Sequence, residues 1–474
     1  MGFLNCLSRR GFLENMGSLA GLAVLPLATG STLAQSMRLS SVSAEDWARF
    51  GYDLHNTRFN SAENLLGPDN VGRLKLNWKF NAQGVIQTTP IVVGDSVFFG
   101  SQSGHFYSLD TQSGERRWEL EVESRGVHPY MRRGIRTSPH YQDGKLYFGD
   151  NMTKVYCVDA ESGGKIWETQ LSEDPTAQTK SSPVVFNGKV ILGYSSRRGD
   201  AEIATLDAET GAIVWRFSTA PEGAGGSVWA SPAVDEKEHI VYNATGSVKA
   251  FMPAAPMLYT VTILAHDLET GELLWYYRPW RADPFDLDFG CSPMIFDASI
   301  PSGYRGGGVR KCVGAGSKGG FFCCDRYTGE LFWKVMLTNR SAGGGPILDS
   351  TAAAYNRIYI ASNALGPKKT MSVTAALDAY TGDIVWWNPN DTLNRAPVAV
   401  ANGLFYQGLL DGTVEALDAE TGAQRWQFKL PTAHRGGISI ANGALYVGNG
   451  ENATTEEEAA QKEYSLYAFT IDGQ

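Results

Sequence analysis

LDAETGAIVW, Leu206 to Trp215, is one of seven copies of a ten-residue unit that each end on tryptophan. The others are LDTQSGERRW (Leu109 to Trp118), VDAESGGKIW (Val158 to Trp167), HDLETGELLW (His266 to Trp275), CDRYTGELFW (Cys324 to Trp333), LDAYTGDIVW (Leu377 to Trp386) and LDAETGAQRW (Leu417 to Trp426). Their aspartates stand 49, 48, 60, 58, 53 and 40 residues apart. That is the period of a four-stranded propeller blade with loops of varying length. Within each unit a β-run ends at the aspartate, Ser/Thr-Gly turns the chain, and an apolar run to the tryptophan opens the next strand. An aromatic at one fixed place in every repeat reads as a wedge between neighbouring blades.

The count is eight rather than seven. Trp78 in KLNWKF sits where a repeat should end, with no Asp-x-x-Thr-Gly before it. EYSLYAFTIDG (Glu463 to Gly473) supplies a strand and a turn, after which the sequence stops. Pairing that strand with the segment around Trp78 closes the ring and leaves no open sheet edge. The predicted fold is all-β, one eight-bladed propeller over residues 35–474.

At 474 residues the chain exceeds a usual single domain, a prior from which repeat architectures are exempt. The 53 glycines and 20 prolines suit a body of short strands and turns. The net charge of −9 argues against nucleic acid as partner. Outside the N-terminus no apolar run is long enough to span a membrane. Residues 1–34 read as a targeting segment: SRRGFLE (Ser8 to Glu14), an apolar GSLAGLAVLPLATG (Gly17 to Gly30) and a small-residue cleavage site at Thr32-Leu33-Ala34. The pattern resembles a twin-arginine export signal, which implies the bacterial periplasm. Beyond Cys6, the cysteines Cys157, Cys291, Cys312, Cys323 and Cys324 are too few for a disulfide scaffold. FFCC lies in an apolar strand, where adjacent cysteines read as small buried hydrophobes rather than a vicinal disulfide. No Cys-x-x-Cys-His is present, so no c-type haem is expected on this chain.

The repeats resemble those of quinoprotein dehydrogenases, eight-bladed propellers that hold pyrroloquinoline quinone (PQQ) on the central axis. The resemblance begins at WARFGYDLHNTRFNSAENLLGPDNVGRLKLNW (Trp47 to Trp78) and is most specific over Thr262 to Asp297 and Arg310 to Trp333. The missing haem and the length are most similar to the polyvinyl-alcohol dehydrogenase branch. The resemblance implies roles for particular residues. Trp229 in GGSVWASP is similar to the tryptophan that stacks on the quinone, a flat face for a tricyclic cofactor. Asp286 in ADPFDLDFG matches the catalytic base, with Asp283 and Asp288 as alternatives. Lys318 in GSKGG matches the cation that contacts the quinone oxygens. Arg133 in MRRGIRTSP matches an arginine that binds a cofactor carboxylate, with Arg132 and Arg136 as competitors. Gln87 stands where the family often has glutamate, and Ser181 and Ser182 where a hydroxyl meets the cofactor.

The family's calcium is where the pattern departs. Ser195 or Ser196 occupies the position of the ligating glutamate, leaving Asp200 or Glu202 to substitute, and Ser247 stands for the ligating asparagine. Asp286 and Ser247 are the remaining candidate metal ligands, and hydroxyls are weak donors to a hard cation. GGGPIL (Gly343 to Leu348) replaces an Asn/His-Trp contact, and the family's adjacent cysteine pair is missing near His128-Pro129-Tyr130. The resemblance implies a periplasmic PQQ-dependent alcohol dehydrogenase that passes electrons to an external cytochrome or quinone. A non-catalytic propeller scaffold, like that of outer-membrane assembly, is the rival. A related dehydrogenase with an altered metal site is the third reading. The apolar insertion Thr245 to Val261 is expected to contribute a lid above the substrate pocket.

Replacing Arg9 and Arg10 with lysine is expected to leave the precursor in the cytoplasm, measured by fractionation. Normal periplasmic accumulation would show that another export route reads this segment.

Overall fold

The computed structural model describes residues 42–122, 134–196, 199–221, 225–247, 258–280, 283, 286–301, 308–336, 347, 349–363, 372–450 and 462–474. The targeting segment and Arg133 lie outside the described residues. What is described is all-β and eight-bladed. Blade 1 is the antiparallel sheet Ile91–Val93, Ser96–Gly100, His105–Asp110 and Arg116–Glu121. The same order recurs in blade 2 (His140–Gln142 to Lys165–Gln170), blade 3 (Val184–Phe186 to Ile213–Ser218) and blade 4 (Ala233–Asp235 to Leu273–Tyr277). Blade 5 (Met294–Ser299 to Leu331–Met336), blade 6 (Ala352–Ala354 to Ile384–Asn390) and blade 7 (Ala399–Ala401 to Gln424–Lys429) continue it. Blade 8 is built from both ends of the chain. Ile438–Ala441, Ala444–Gly448 and Ser465–Ile471 are completed by Leu74–Asn81, in register from Leu74 opposite Ile471 to Asn81 opposite Ser465.

The ten-residue unit works through three contacts. Its aspartate caps the turn: Asp207 Oδ1 accepts from the Thr210 backbone N–H at 2.8 Å and from the Thr210 hydroxyl at 2.7 Å. Its glycine takes the left-handed conformation, φ +72° at Gly211, and lies flat on the tryptophan of the preceding blade. A Cβ at Gly211 would meet Trp167 Cδ2 at 2.7 Å, so both the backbone angle and the close approach demand glycine. Its tryptophan then reaches to the following blade. Trp167 Nε1 donates to the Ala208 carbonyl at 3.0 Å and Trp215 Nε1 to Leu268 at 3.0 Å. Trp78 donates to Thr111 at 2.9 Å, and Trp426 closes the ring on the Leu74 carbonyl at 3.1 Å.

Residues 47–60 run across the inner strands and floor the axis. Trp47 exchanges two backbone hydrogen bonds with Val92 of blade 1, both 2.9 Å. The carbonyls of Ala48, Leu54, His55, Thr57 and Arg58 accept from inner-strand N–H groups of blades 2, 4, 5, 6 and 7 at 2.8–2.9 Å. Asn56 Nδ2 bonds the carbonyls of Pro232 (2.9 Å) and Pro293 (3.1 Å). The fully buried Arg58 guanidinium donates to Ile438 of blade 8 at 3.1 Å. This segment ties seven blades together. The described cysteines are free and buried.

Trp167→Ala removes a nearly buried aromatic and its inter-blade hydrogen bond. It is expected to cost about 3–5 kcal/mol in denaturant unfolding. A loss below about 1 kcal/mol would show that the wedge is not what holds blades 2 and 3 together.

Candidate functional site

The approach of each blade to the axis repeats as the blade does. Just before the inner strands of blades 1 to 6 the chain passes a Ser or Thr, and a backbone N–H donates to the hydroxyl of the next blade from blade 1 through to blade 6. The Thr89 N–H donates to Ser138 Oγ (2.7 Å), Ser138 to Ser182 (2.9 Å) and Ser182 to Ser231 (2.9 Å). Ser231 donates to Ser292 (2.8 Å) and Ser292 to Ser350 (3.2 Å). Each serine oxygen accepts in this relay, which leaves its own O–H to donate elsewhere. The relay ends at Ser350, since Pro397 follows in blade 7 and Gly437 stands in blade 8, against Thr89 where the relay begins. A Cβ at Gly437 would meet Thr89 Oγ1 at 1.8 Å.

Two residues before the corresponding position, six of the eight blades present a side chain to the axis. Gln87, Arg136, Lys180, Trp229, Arg395 and Arg435 occupy the equivalent places and line one cavity of about 280 Å³, with Phe50 of the N-terminal segment and the relay serines. The cavity therefore has one aromatic wall and four cationic side chains. Arg136 Nε donates to Gln87 Oε1 at 2.8 Å, which aligns both. Arg395 Nε is buried and makes no hydrogen bond. Against these cations stands one carboxyl, Asp349. Burial pushes its pKa up to about 8, although Arg136, Arg395, Arg435 and Arg58 all oppose the shift.

The second cluster lies on the loop that leads into blade 5. Lys318 Nζ bridges Asp286 Oδ2 and Asp288 Oδ2, each at 2.7 Å. Burial works against the Lys318 charge, but Asp288 and Asp286 outweigh it and its pKa is raised. Asp288 is pushed up to about 6 by burial, with Lys318 pulling the other way. Ser247 donates its hydroxyl to Asp283 Oδ2 at 3.0 Å and its N–H to Asp288 Oδ1. Asp283 also accepts from the Leu287 N–H at 2.9 Å, which pins the loop. Asp286 holds a left-handed backbone, φ +59°, and is the most open of the three, its side chain 28% exposed against 10% for Asp288. A non-glycine residue held there, beside a buried ammonium, is the kind of strain found at reactive positions.

The sequence-predicted residues divide accordingly. Trp229, Gln87 and Ser182 share the axial cavity, and Arg136 is the arginine found there. Ser181 turns away from the cavity and is fully buried, because neighbouring residues of an extended chain face opposite ways. Asp286, Lys318 and Ser247 form the second cluster, which joins the cavity wall along the short run from Asp288 to Gly290. Lys180, Arg395, Arg435 and Asp349 were missed. For Lys180 the signal was the recurring Ser/Thr-Pro of Thr89-Pro90, Ser138-Pro139, Ser182-Pro183, Ser231-Pro232 and Ser292-Pro293, which sets the register of the ring; the other three have no such mark beside them.

The donors present do not fit calcium, which takes six to eight oxygens. Lys318 already sits between the two carboxylates that a cation would need, and Ser247 spends its hydrogens on Asp283 and Asp288. The displaced acids do not substitute. Glu202 pairs with Arg216 at 2.6 Å, and Asp200 accepts from the Tyr194 hydroxyl at 3.1 Å. Among the described residues no group of three His, Cys, Asp or Glu side chains is gathered to hold a metal.

Two family models match this chain. "Glucose/ethanol/alcohol dehydrogenase, beta-propeller domain" covers residues 47–346, and "Outer membrane protein assembly factor BamB" covers 317–455. The chain is 25% identical to the quinohemoprotein alcohol dehydrogenase ADH-IIG of Pseudomonas putida, over 76% of this chain and 55% of that one. It is also 25% identical to a polyvinylalcohol dehydrogenase of a Pseudomonas species, over 78% and 65%. It thus spans somewhat over half the length of these relatives. In structure it is similar to the quinohemoprotein alcohol dehydrogenase of Comamonas testosteroni, with TM-score 0.79, 20% identity, and coverage of 91% of this chain and 81% of that one. That likeness is one of fold. Because the first model matches well over half of its length, the chain belongs to the glucose/ethanol/alcohol dehydrogenase β-propeller family.

Proposed function

We propose that this chain is a quinoprotein dehydrogenase that oxidises an alcohol with PQQ held in the axial cavity. The observation that carries the reading is the donor set of that cavity. One indole face, Trp229, stands among four cations and a row of hydroxyls, which suits a flat tricarboxylate. PQQ, when bound, supplies the two-electron oxidant. Arg136, Lys180, Arg395 and Arg435 would hold its carboxylates, with Gln87 and Ser182 adding hydrogen bonds. Asp286 is the base in this reading. It is the accessible member of the acidic trio and would take the hydroxyl proton of the alcohol. Lys318 would hold Asp286 in place through their ion pair and put positive charge beside the developing negative charge of the reduced quinone. Asp283 and Asp288 position the loop. No step is assigned to calcium. Without a haem attachment sequence, electrons would leave to a separate cytochrome or quinone acceptor. The periplasm, reached by the twin-arginine route over residues 1–34, is the proposed location. Among the described residues no helix is long and apolar enough to cross a membrane.

A second reading is favoured by the match of residues 317–455 to the assembly-factor model: a scaffold that binds proteins. PQQ titration of the purified chain separates the two, since a scaffold has no use for the cationic cavity.

Asp286→Asn is expected to lower turnover by about 10²–10⁴-fold with PQQ affinity kept. Unchanged turnover would move the base to Asp288 or Asp283. Trp229→Ala is expected to act on binding instead, raising the PQQ dissociation constant about tenfold. Removing divalent cations with a chelator is expected to leave PQQ binding and turnover unchanged. Loss of binding that calcium restores would show a metal seat made by donors other than those described.

A further inference from the structure

Asp349 breaks the repeat at the one place where the break meets the cations. Its equivalents in the other blades are Thr88, Thr137, Ser181, Ala230, Cys291 and Ala396, with Gly436 in blade 8, and none of these is a carboxylate. They face into the walls between blades. Asp349 instead lines the axial cavity together with Arg136, Lys180, Arg395 and Arg435. Arg58, fully buried in the N-terminal floor, faces it from below, and Cys291 adjoins it from blade 5. A carboxylate in an anion seat is a competitor for its own cations. It offsets one positive charge when ionised and releases it when protonated.

We propose that Asp349 is a built-in counter-charge of the cofactor seat, so that a polycarboxylate enters with Asp349 protonated and its binding takes up a proton. This rests on the axial cavity being the PQQ site. The electrostatics give the direction. Burial already favours the neutral acid and pushes its pKa up to about 8 in the empty cavity. A polyanion beside it favours the neutral form further, so the bound-state pKa is higher still. Binding and protonation are then reciprocal: below pH 8 the acid is already neutral and affinity is level. Above pH 8 each bound cofactor must bring a proton, and affinity falls about tenfold per pH unit. The other groups beside Asp349 with shifted titrations are Arg58, held down to about 9 by burial, and the Cys291 thiol, which burial pushes up. Any contribution from Arg58 or Cys291 would persist when Asp349 is removed.

The test is equilibrium binding of PQQ to the purified full chain between about pH 6.5 and 9, for wild type and Asp349→Asn. It is paired with calorimetry of the wild type at about pH 8.5 in two buffers of different ionisation enthalpy, which counts protons and needs no variant. The wild-type dissociation constant should stay level to about pH 8 and then rise about tenfold per unit, with proton uptake on binding. Asp349→Asn should bind with a level affinity equal to that of the low-pH wild type. A level wild-type profile, an absence of proton uptake, or a rise retained in Asp349→Asn overturns the proposal and leaves the cofactor seat standing. No PQQ binding by either protein at any pH overturns the proposal together with the function on which it rests.

Discussion

The indole laid on a neighbour's turn is the interaction on which the rest depends. Trp167 sits on Gly211 and donates to Ala208, and the same pair of contacts recurs around the ring. Each contact fixes the distance and the rotation of one blade relative to the next. In a closed ring these rotations must add to a full circle, so each docking geometry constrains all the others. The Trp426 bond to Leu74 spans the chain from one end to the other and completes that condition. Because blade 8 takes its last strand from residues 74–81, the ring closes through backbone hydrogen bonds as well as by packing.

Regular docking makes the inner ends of the blades equivalent, and this turns the axis into a ring of interchangeable positions. The scaffold fixes the backbone of Gln87, Arg136, Lys180, Trp229, Arg395 and Arg435 through the serine relay and the floor at residues 47–60. Nothing in the scaffold fixes which side chain stands there. Repetition therefore supplies geometry, and departures from repetition supply chemistry. A chain with net charge −9 concentrates four cations on its axis, against the sign of the whole. That separation is maintained because the ring positions take no part in docking.

The same distinction explains what was legible in the sequence. The docking unit is local: aspartate, turn glycine and tryptophan lie within ten residues, and each is demanded by a hydrogen bond, a backbone angle or a ring face. Its period reveals the fold without help. The axial ring is the reverse, one residue per blade with 40 to 60 residues between members and no neighbour to announce it. Trp229 and Gln87 were reachable through resemblance. Arg395 and Arg435 were not, since their flanking residues, Pro397 and Gly437, replace the Ser/Thr that marks the position in other blades. Of the three nearby arginines, the register of His140–Gln142 puts Arg136 on the axis, while Arg132 and Arg133 lie outside the described residues. Ser181 and Ser182 were indistinguishable by type and separated only by strand parity.

The acidic loop shows how a departure from a family pattern becomes consistent once its neighbours are known. Viewed singly, Ser247 is a weakened metal ligand, and Lys318 is a cation near a quinone. Together with Asp283, Asp286 and Asp288 they form a self-sufficient network in which one ammonium bridges two carboxylates and a serine joins the other pair. An ammonium is already charged and tethered. Its seat is formed by folding rather than by ion binding, and it holds its partners by donated hydrogen bonds where a hard cation would hold them by coordination. Inserting a divalent cation would require expelling Lys318 from between its partners and leaving it buried without them, a cost of several kcal/mol before any ligand bond is made. The hydroxyl at position 247 is therefore part of a network that the lysine at position 318, which keeps the family's pattern, already holds together. The positive charge beside Asp286 is supplied by the chain.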